Sequence, residues 1–237
     1  MFLLRAAARC VKRAAAVTVR SGFLTPEEYS FASASASEAG IPFYSIDVDM
    51  FSEEKIVSNP PDRCYHCKKL IFKKVKALAE REGFEVVLEG TNADDIYDHR
   101  PGMKAVREAG VLSPLLEAGL TKDEIRTLSE AEGIKGAYRP PNSCLATRVP
   151  AGDRITYTAL TMIAGAERAI KKIGIDNVRV RCDRDNARIE VDRNGISILL
   201  DEGYHDTVVR GLKSLGFKTV AVDLEGYKNP VYYKENY

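Results

Sequence analysis

The amino-acid sequence predicts an α/β fold: a parallel sheet with helices on both faces, followed by a small C-terminal α+β unit. Up to about residue 150, strand-like and helix-like stretches alternate, as in strands that pair in parallel through helical crossovers. After residue 155 the order becomes a helix, two strands, a helical stretch and a strand. The chain has 237 residues and is 45% apolar, enough to bury a core. No apolar run approaches the roughly 20 residues that span a bilayer. These patterns give domains at 1–150 and 151–237.

The elements follow from local chemistry. FLLRAAARCVKR reads as a helix and AAAVTVRS as a strand. In TPEEYSFASASASEAG, Thr25 caps a helix, Pro26 takes its first position, Glu28 completes a capping box and Gly40 stops it. PFYSIDVD is a strand by alternation and β-formers. After the break SNPPD, Asp62 caps a helix over 63–81 with the stripe Leu70, Ile71, Val75 and Leu78, ended by Gly83. EVVLEG reads as a buried strand and TNADDIYDHRPG as a polar loop. Thr121 and Glu124 open a helix that runs to Gly133, and RPPNSCLATRVPAGDR is a loop. A helix over 157–172 precedes the strands NVRVRCD and ARIEV, one or two helices near 194–215, and the strand KTVAVDL. EGYKNPVYYKENY reads as a surface tail.

Charge excludes some classes. Lys plus Arg is 35 and Asp plus Glu is 34, a net charge of +1, so there is no global attraction to nucleic acid or anionic lipid. Five cysteines is an odd count, better suited to reduced thiols in the cytoplasm than to a disulfide framework. The first 26 residues are basic and acid-free, with Arg5, Arg9, Lys12, Arg13 and Arg20. That is a transit-peptide composition. The helix-and-strand reading is preferred, because Val17-Thr18-Val19 runs straight into the β/α pattern.

The stretch DRCYHCKK places Cys64 and Cys67 three apart at a helix start. The pair fits a redox dithiol, half a zinc site or part of an iron–sulfur ligand set. Cys144 lies in a loop, NSCLATR. Three thiolates fit a cluster that leaves one iron open, but the cysteines by themselves do not decide. Cys10 and Cys182 fall in a helix and a strand without motif partners.

Asp94 and Asp95 follow a strand at the end where α/β sheets bind ligands; capping acids in a solvated loop are the alternative. Arg179 and Arg181 share one face of a strand, as Arg188 and Glu190 do on the next. Two guanidiniums on one face suit carboxylate or phosphate; a salt-bridge ladder is the alternative. His66 reads as helix surface, and His99 and His205 lack context.

EGTNADD at 89–95, RPGMKAVREAG at 100–110, SPL at 113–115, KDEIR, CLATR at 144–148, VRVR at 178–181 and ARIE at 187–190 occur in one order. Together they resemble the ATP-dependent sacrificial sulfur transferases, PP-loop ATPases that thiolate a pyridinium mononucleotide on the way to the nickel-pincer cofactor of lactate racemase. The resemblance runs from Thr18 onward. It implies adenylation of a substrate carboxylate by ATP with magnesium, then attack by sulfur. It also implies a homo-oligomer, with neither nucleic-acid nor membrane partners. In one branch of the family a cysteine, here Cys144, gives up its own sulfur. In the other, three cysteines hold a [4Fe-4S] cluster that carries a replaceable sulfide. The CxxC places this sequence with the second branch, with Cys64, Cys67 and Cys144 as ligands. Asp94 and Asp95 are then expected at the nucleotide and magnesium. Arg148 is expected near the reacting sulfur, with Arg179, Arg181 and Glu190 at the substrate.

One family element is missing. A SGGxDS loop holds the ATP pyrophosphate on backbone N–H groups, and the only Ser-Gly here is Ser21-Gly22, after a later strand. FLLRAAAR looks like the helix that follows that loop, so Met1 is expected to fall inside the domain, with the first strand absent. The expectation is weak or no ATP binding and a poorly stable N-terminal half. A tRNA thiolase is the rival enzyme, disfavoured by the balanced charge. A non-catalytic remnant is the rival outside enzymes.

Overall fold

A computed structural model describes residues 1–97, 101–139 and 142–227. His99, Arg100 and residues 228–237 of the expected tail lie outside the described residues. The chain divides into two compact units, Met1–Pro141 and Asn142–Tyr237. The loop carrying Cys144 therefore goes with the second unit, not with the first as the 1–150 division placed it. The reason is Arg148, whose guanidinium binds Glu167 in that unit.

The first unit begins with helix α1 (Phe2–Cys10), strand β1 (Ala16–Arg20), helix α2 (Pro26–Glu38) and strand β2 (Phe43–Asp47). β1 and β2 pair in parallel, from Ala16 opposite Phe43 to Arg20 opposite Asp47. The expected capping box opens α2: Thr25 accepts from the Glu28 backbone N–H, and Glu28 accepts from that of Thr25. Short α3 (Glu54–Val57) and long α4 (Arg63–Arg81) follow, then a 3-10 turn over Ala93–Tyr97, α5 (Gly102–Glu108), α6 (Pro114–Glu117) and α7 (Lys122–Ala131). Thr121 and Glu124 form the second capping box, at the start of α7.

Two local expectations change. EVVLEG is not a full strand: among the described residues it makes one parallel bridge, Leu88 to Leu112. Its ladder is limited to Glu89 N–H on the Leu112 carbonyl (2.9 Å) and Leu112 N–H on that of Val87 (3.0 Å), too little pairing for an extended ladder. Asp62 stands at the start of α4 but makes no side-chain cap bond. Its carboxylate meets His66 Nε2 at 3.2 Å instead. Beside that bridge, Phe72, Val106 and Val111 form an apolar cluster that also takes in Val87 and Ala109.

The second unit holds a 3-10 turn over Leu145–Arg148, α8 (Tyr157–Lys171), β3 (Arg179–Asp183), β4 (Asn186–Glu190), α9 (Arg193–Leu200), α10 (Glu202–Ser214) and β5 (Thr219–Val222). β3 pairs antiparallel with β4, and β4 parallel with β5. Alternation sends Val180, Cys182, Ala187 and Ile189 into the core, against Ile163 and Ala166 of α8 and Leu212 of α10. The polar face of the sheet is left to Arg179, Arg181, Arg188 and Glu190. Among the described residues no helix is long and apolar enough to cross a membrane.

Candidate functional site

In the first unit, Cys64 and Cys67 lie on one side of α4, three residues apart. Cys64 is exposed and Cys67 half-buried, and none of the five cysteines is in a disulfide. Cys67 Sγ is 3.9 Å from Met50 Sδ. α5 packs closely beside the pair. A Cβ on Gly102 would stand 3.5 Å from the Cys64 carbonyl oxygen and 2.9 Å from Lys68 Cδ, so glycine permits the approach. Lys68, next to Cys67, is 3.5 Å from Glu89. Glu89 in turn accepts from Ser113 Oγ (2.5 Å) and from Thr91 N–H (3.0 Å). Burial pushes the Glu89 carboxyl up, but these donors and the Lys68 charge outweigh it and hold the pKa below the ordinary value. Three motifs distant in sequence thus meet around one carboxylate.

Asp94 and Asp95 sit in the 3-10 turn and face the start of α7. Asp94 accepts from the Lys122 backbone N–H at 2.6 Å. Asp95 is 4% exposed; it accepts from Asn92 N–H at 3.1 Å and lies 3.2 Å from Lys122 Nζ. Their carboxylates therefore tie this turn to α7, the capping role that stood as the alternative.

In the second unit, Cys144 is exposed and stands just before the 3-10 turn. Its carbonyl accepts from Thr147 N–H (3.0 Å), Thr147 Oγ1 (2.8 Å) and Arg148 (3.2 Å). Arg148 is fully buried, at 0% exposure. Beyond Cys144 it donates to the Ser143 carbonyl (2.7 Å), Asn142 Oδ1 (3.1 Å) and Glu167 (2.9 Å). With its donors taken inside the protein, Arg148 shapes the Cys144 loop rather than presenting a charge to a ligand.

Arg181 holds the other end of the loop, donating to the Thr147 carbonyl at 2.7 Å. It also grips Glu190 with two bonds of 2.9 and 2.8 Å. Arg188 reaches Glu190 at 3.2 Å and Asp223 at 2.5 Å. The cross-strand ladder is therefore real, and it is built beside the exposed cysteine. Arg179, opposite Glu190 in the register, is 3% exposed and donates to the Val178 carbonyl at 2.8 Å. Burial, followed by the nearby Arg148 charge, lowers its pKa. For Arg181, burial acts downward first, but the Glu190 bonds and charge win and its pKa is raised.

The proposed thiolate set is divided between the units, with Cys64 and Cys67 in the first and Cys144 in the second. Within neither unit do the described residues gather three or more His, Cys, Asp or Glu side chains as metal ligands.

No protein-family model matches the chain. It is 34% identical over 214 residues to the pyridinium-3,5-bisthiocarboxylic acid mononucleotide synthase of Lactiplantibacillus plantarum, covering 90% of this chain and 77% of that protein. This chain belongs to that synthase family. An uncharacterised protein of Synechocystis is 34% identical over 218 residues, 92% of this chain and 81% of the relative. One from Methanocaldococcus jannaschii is 30% identical over 186 residues, 78% and 72% respectively.

The residues brought together in this member of the synthase family include two that sequence reasoning passed over. Glu167 is 4% exposed on α8 and joins Arg148 to the Val180 N–H at 3.1 Å. Its signal was available: a charged residue at a core-facing position of α8, between Ile163 and Ile170. Tyr227 carries the Arg179 guanidinium over its ring at 4.9 Å. Its placement had no local signal, because the turn before it depends on contacts with the residue just after β4.

Proposed function

We propose that this chain thiolates a carboxylated pyridinium mononucleotide in nickel-pincer cofactor biosynthesis, using ATP and magnesium to activate the carboxylate. The observation that carries the reading is an exposed cysteine, Cys144, on a loop fixed at both ends by arginines, beside the Arg181–Glu190 pair of β3 and β4. A nucleophilic sulfur and an anion grip in one unit suit acyl transfer to sulfur. Arg179 and Arg181 are the residues assigned to the substrate's phosphate or carboxylate. Glu190 orients Arg181 through its paired bonds, and Arg148 orients the loop. Asp94 and Asp95 shape the nucleotide side through Lys122.

In the first step the carboxylate oxygen attacks the α-phosphorus of ATP, pyrophosphate leaves and an acyl adenylate forms. Sulfur then attacks the acyl carbon and AMP leaves. The sulfur comes by one of two routes. In one, Cys144 thiolate attacks, and loss of its Cα proton with cleavage of its Cβ–S bond gives the thiocarboxylate and dehydroalanine. In the other, Cys64, Cys67 and Cys144 would hold a 4Fe-4S cluster, which would supply sulfide for the attack. Thiolate chemistry and CxxC spacing support the second route. The homo-oligomer implied by the resemblance and the cytoplasmic location read from the cysteines belong to the same proposal.

The test is anaerobic purification with iron and acid-labile sulfide analysis, followed by one turnover with ATP, magnesium and mononucleotide. Bound iron and sulfide, with product formed and the polypeptide mass unchanged, support the cluster route. Iron-free protein that becomes lighter by one hydrogen sulfide at Cys144 supports the sacrificial route. No thiolated product under either condition overturns the function.

A further inference from the structure

Between α3, α4 and α5 the first unit holds a cavity of about 420 Å³, a size that suits a small molecule. Its floor is apolar: Ile56 of α3, Leu70 of α4, and Ala105 and Ala109 of α5. Ile56 and Ala105 are buried. Around that floor stand four lysines, Lys55 beside Ile56 and Lys69, Lys73 and Lys76 on α4. At about 3.6 residues per turn, the three of α4 share one side of the helix and Cys64 lies on the other.

These charges are not balanced within the cavity. Glu108 also lines it, but that carboxylate is taken by Tyr65 Oη at 2.8 Å and Lys104 at 3.8 Å. His66 faces the cavity too, held by Asp62 at 3.2 Å. Lys76 donates to the Ala109 carbonyl at 2.8 Å and Lys69 to Tyr65 Oη at 3.4 Å, and neither bond neutralises a charge. Among the described residues the side chains of Lys55 and Lys73 make no hydrogen bond or ion pair. Four lysines against Glu53 are a local excess in a chain whose net charge is +1. Like charges around an apolar floor repel, and an anion relieves the repulsion. Ammonium groups on flexible stems act as point charges and suit phosphate, whereas the floor suits an apolar ring.

We propose that this cavity is an anion site of the first unit, taking a phosphate monoester carried on an aromatic ring system, as in a mononucleotide. Lys55 and Lys73 hold the phosphate, and the ring lies against Ile56, Leu70 and Ala105. The site depends neither on the assignment of Arg179 and Arg181 nor on the source of the sulfur.

The test is lysine footprinting of the full chain with an amine-acetylating reagent, read by peptide mass spectrometry. The probes are AMP, nicotinic acid mononucleotide, inorganic phosphate and a poly-glutamate peptide. One or both mononucleotides are expected to slow modification of Lys55 and Lys73 and to leave Lys218, in the second unit, unaffected. K55Q should raise the concentration that half-protects Lys73 about tenfold, and K73Q should do the same at Lys55. Both lysines are exposed, so the variants should keep the thermal midpoint of the unaltered protein. No protection by either mononucleotide overturns the site, and so does equal protection of Lys218. Half-protection by inorganic phosphate at the same concentration overturns the role of the apolar floor. Protection by the glutamate peptide alone makes the groove a surface for an acidic protein and overturns the small-molecule site. Because the readout is local to these lysines, it stands or falls separately from the thiolation assay.

Discussion

Arg148 and Glu167 form a salt bridge of 2.9 Å with almost no water contact, their side chains 0% and 5% exposed. It joins the loop of the exposed cysteine to α8, and the same carboxylate continues to the Val180 N–H of β3. Three segments far apart in sequence therefore share one buried ion pair, next to the strand that carries Arg179 and Arg181.

Removing one partner of that pair leaves the other charged and buried. R148M should destabilise the second unit by about 3–5 kcal/mol, and R148M/E167L by less, because no lone charge remains. Urea denaturation followed by far-UV circular dichroism checks both. If the double variant is as unstable as R148M, the backbone bonds to Ser143 and Cys144 matter more than the pairing of charges.

The sequence made the local parts of this site legible. Both capping boxes and the β3–β4 pair could be read, because spacing and turn residues act over a few positions. Arg179 and Arg181 could be placed on one face by period-two alternation alone. The fate of their charges could not. Arg148, four residues from Cys144, looks like a ligand contact until Glu167 is found to bury it. That Asp94 and Asp95 bond the start of α7 through Lys122 could not be read either. Tyr227 reads as tail because its turn depends on contact with Val191. In each case a residue far along the chain decides whether a polar group faces solvent or the interior.

The five thiols should separate by environment. Burial, then the charges of Asp185 and Asp183, pushes the Cys182 thiol up to about 11. Its neutral form stabilises the fold fully below the ordinary thiol value, and that contribution is lost as pH rises through about 11. At neutral pH iodoacetamide should modify Cys10, Cys64 and Cys144 and spare Cys182, with peptide mass spectrometry as the readout. On the proposed cluster route, loading iron and sulfide should then protect Cys64 and Cys144 while Cys10 still reacts. Protection of Cys10 along with the others would point to non-specific metal binding.

Glu89 gives the first unit an acid-sensitive contact. Its pKa is held below the ordinary carboxylate value by Ser113, Thr91 and Lys68, against the opposing effect of burial. A depressed carboxyl contributes stability above its unfolded pKa and loses it as pH falls through the folded one. S113A removes the shortest of these bonds, so its deficit should be largest near neutral pH and shrink in acid. The cost at neutral pH is about 1–3 kcal/mol, as for a hydrogen bond to a charged group. Denaturant titrations of both proteins across the acid range measure it. A deficit that stays constant with pH would mean that Ser113 acts by packing.

The turn before Tyr227 predicts an effect of a single methyl group. At Gly226 the Cβ of alanine would lie 2.6 Å from the Val191 carbonyl oxygen, at a φ of +73°. The obstacle is backbone of the sheet margin, so it cannot swing away like a side chain. G226A should therefore shift the turn, lose the Tyr227 bond to Val191, and cost roughly 1–3 kcal/mol from backbone strain. Because the turn also carries Asp223, the Arg188 ion pair should loosen with it. Nuclear magnetic resonance of the Arg179 and Arg188 side chains reads both outcomes. The expected pattern is faster solvent exchange of both Nε protons in G226A. Unchanged exchange at Arg179 alongside a loosened Arg188 would show that Tyr227 reaches its partner without this turn.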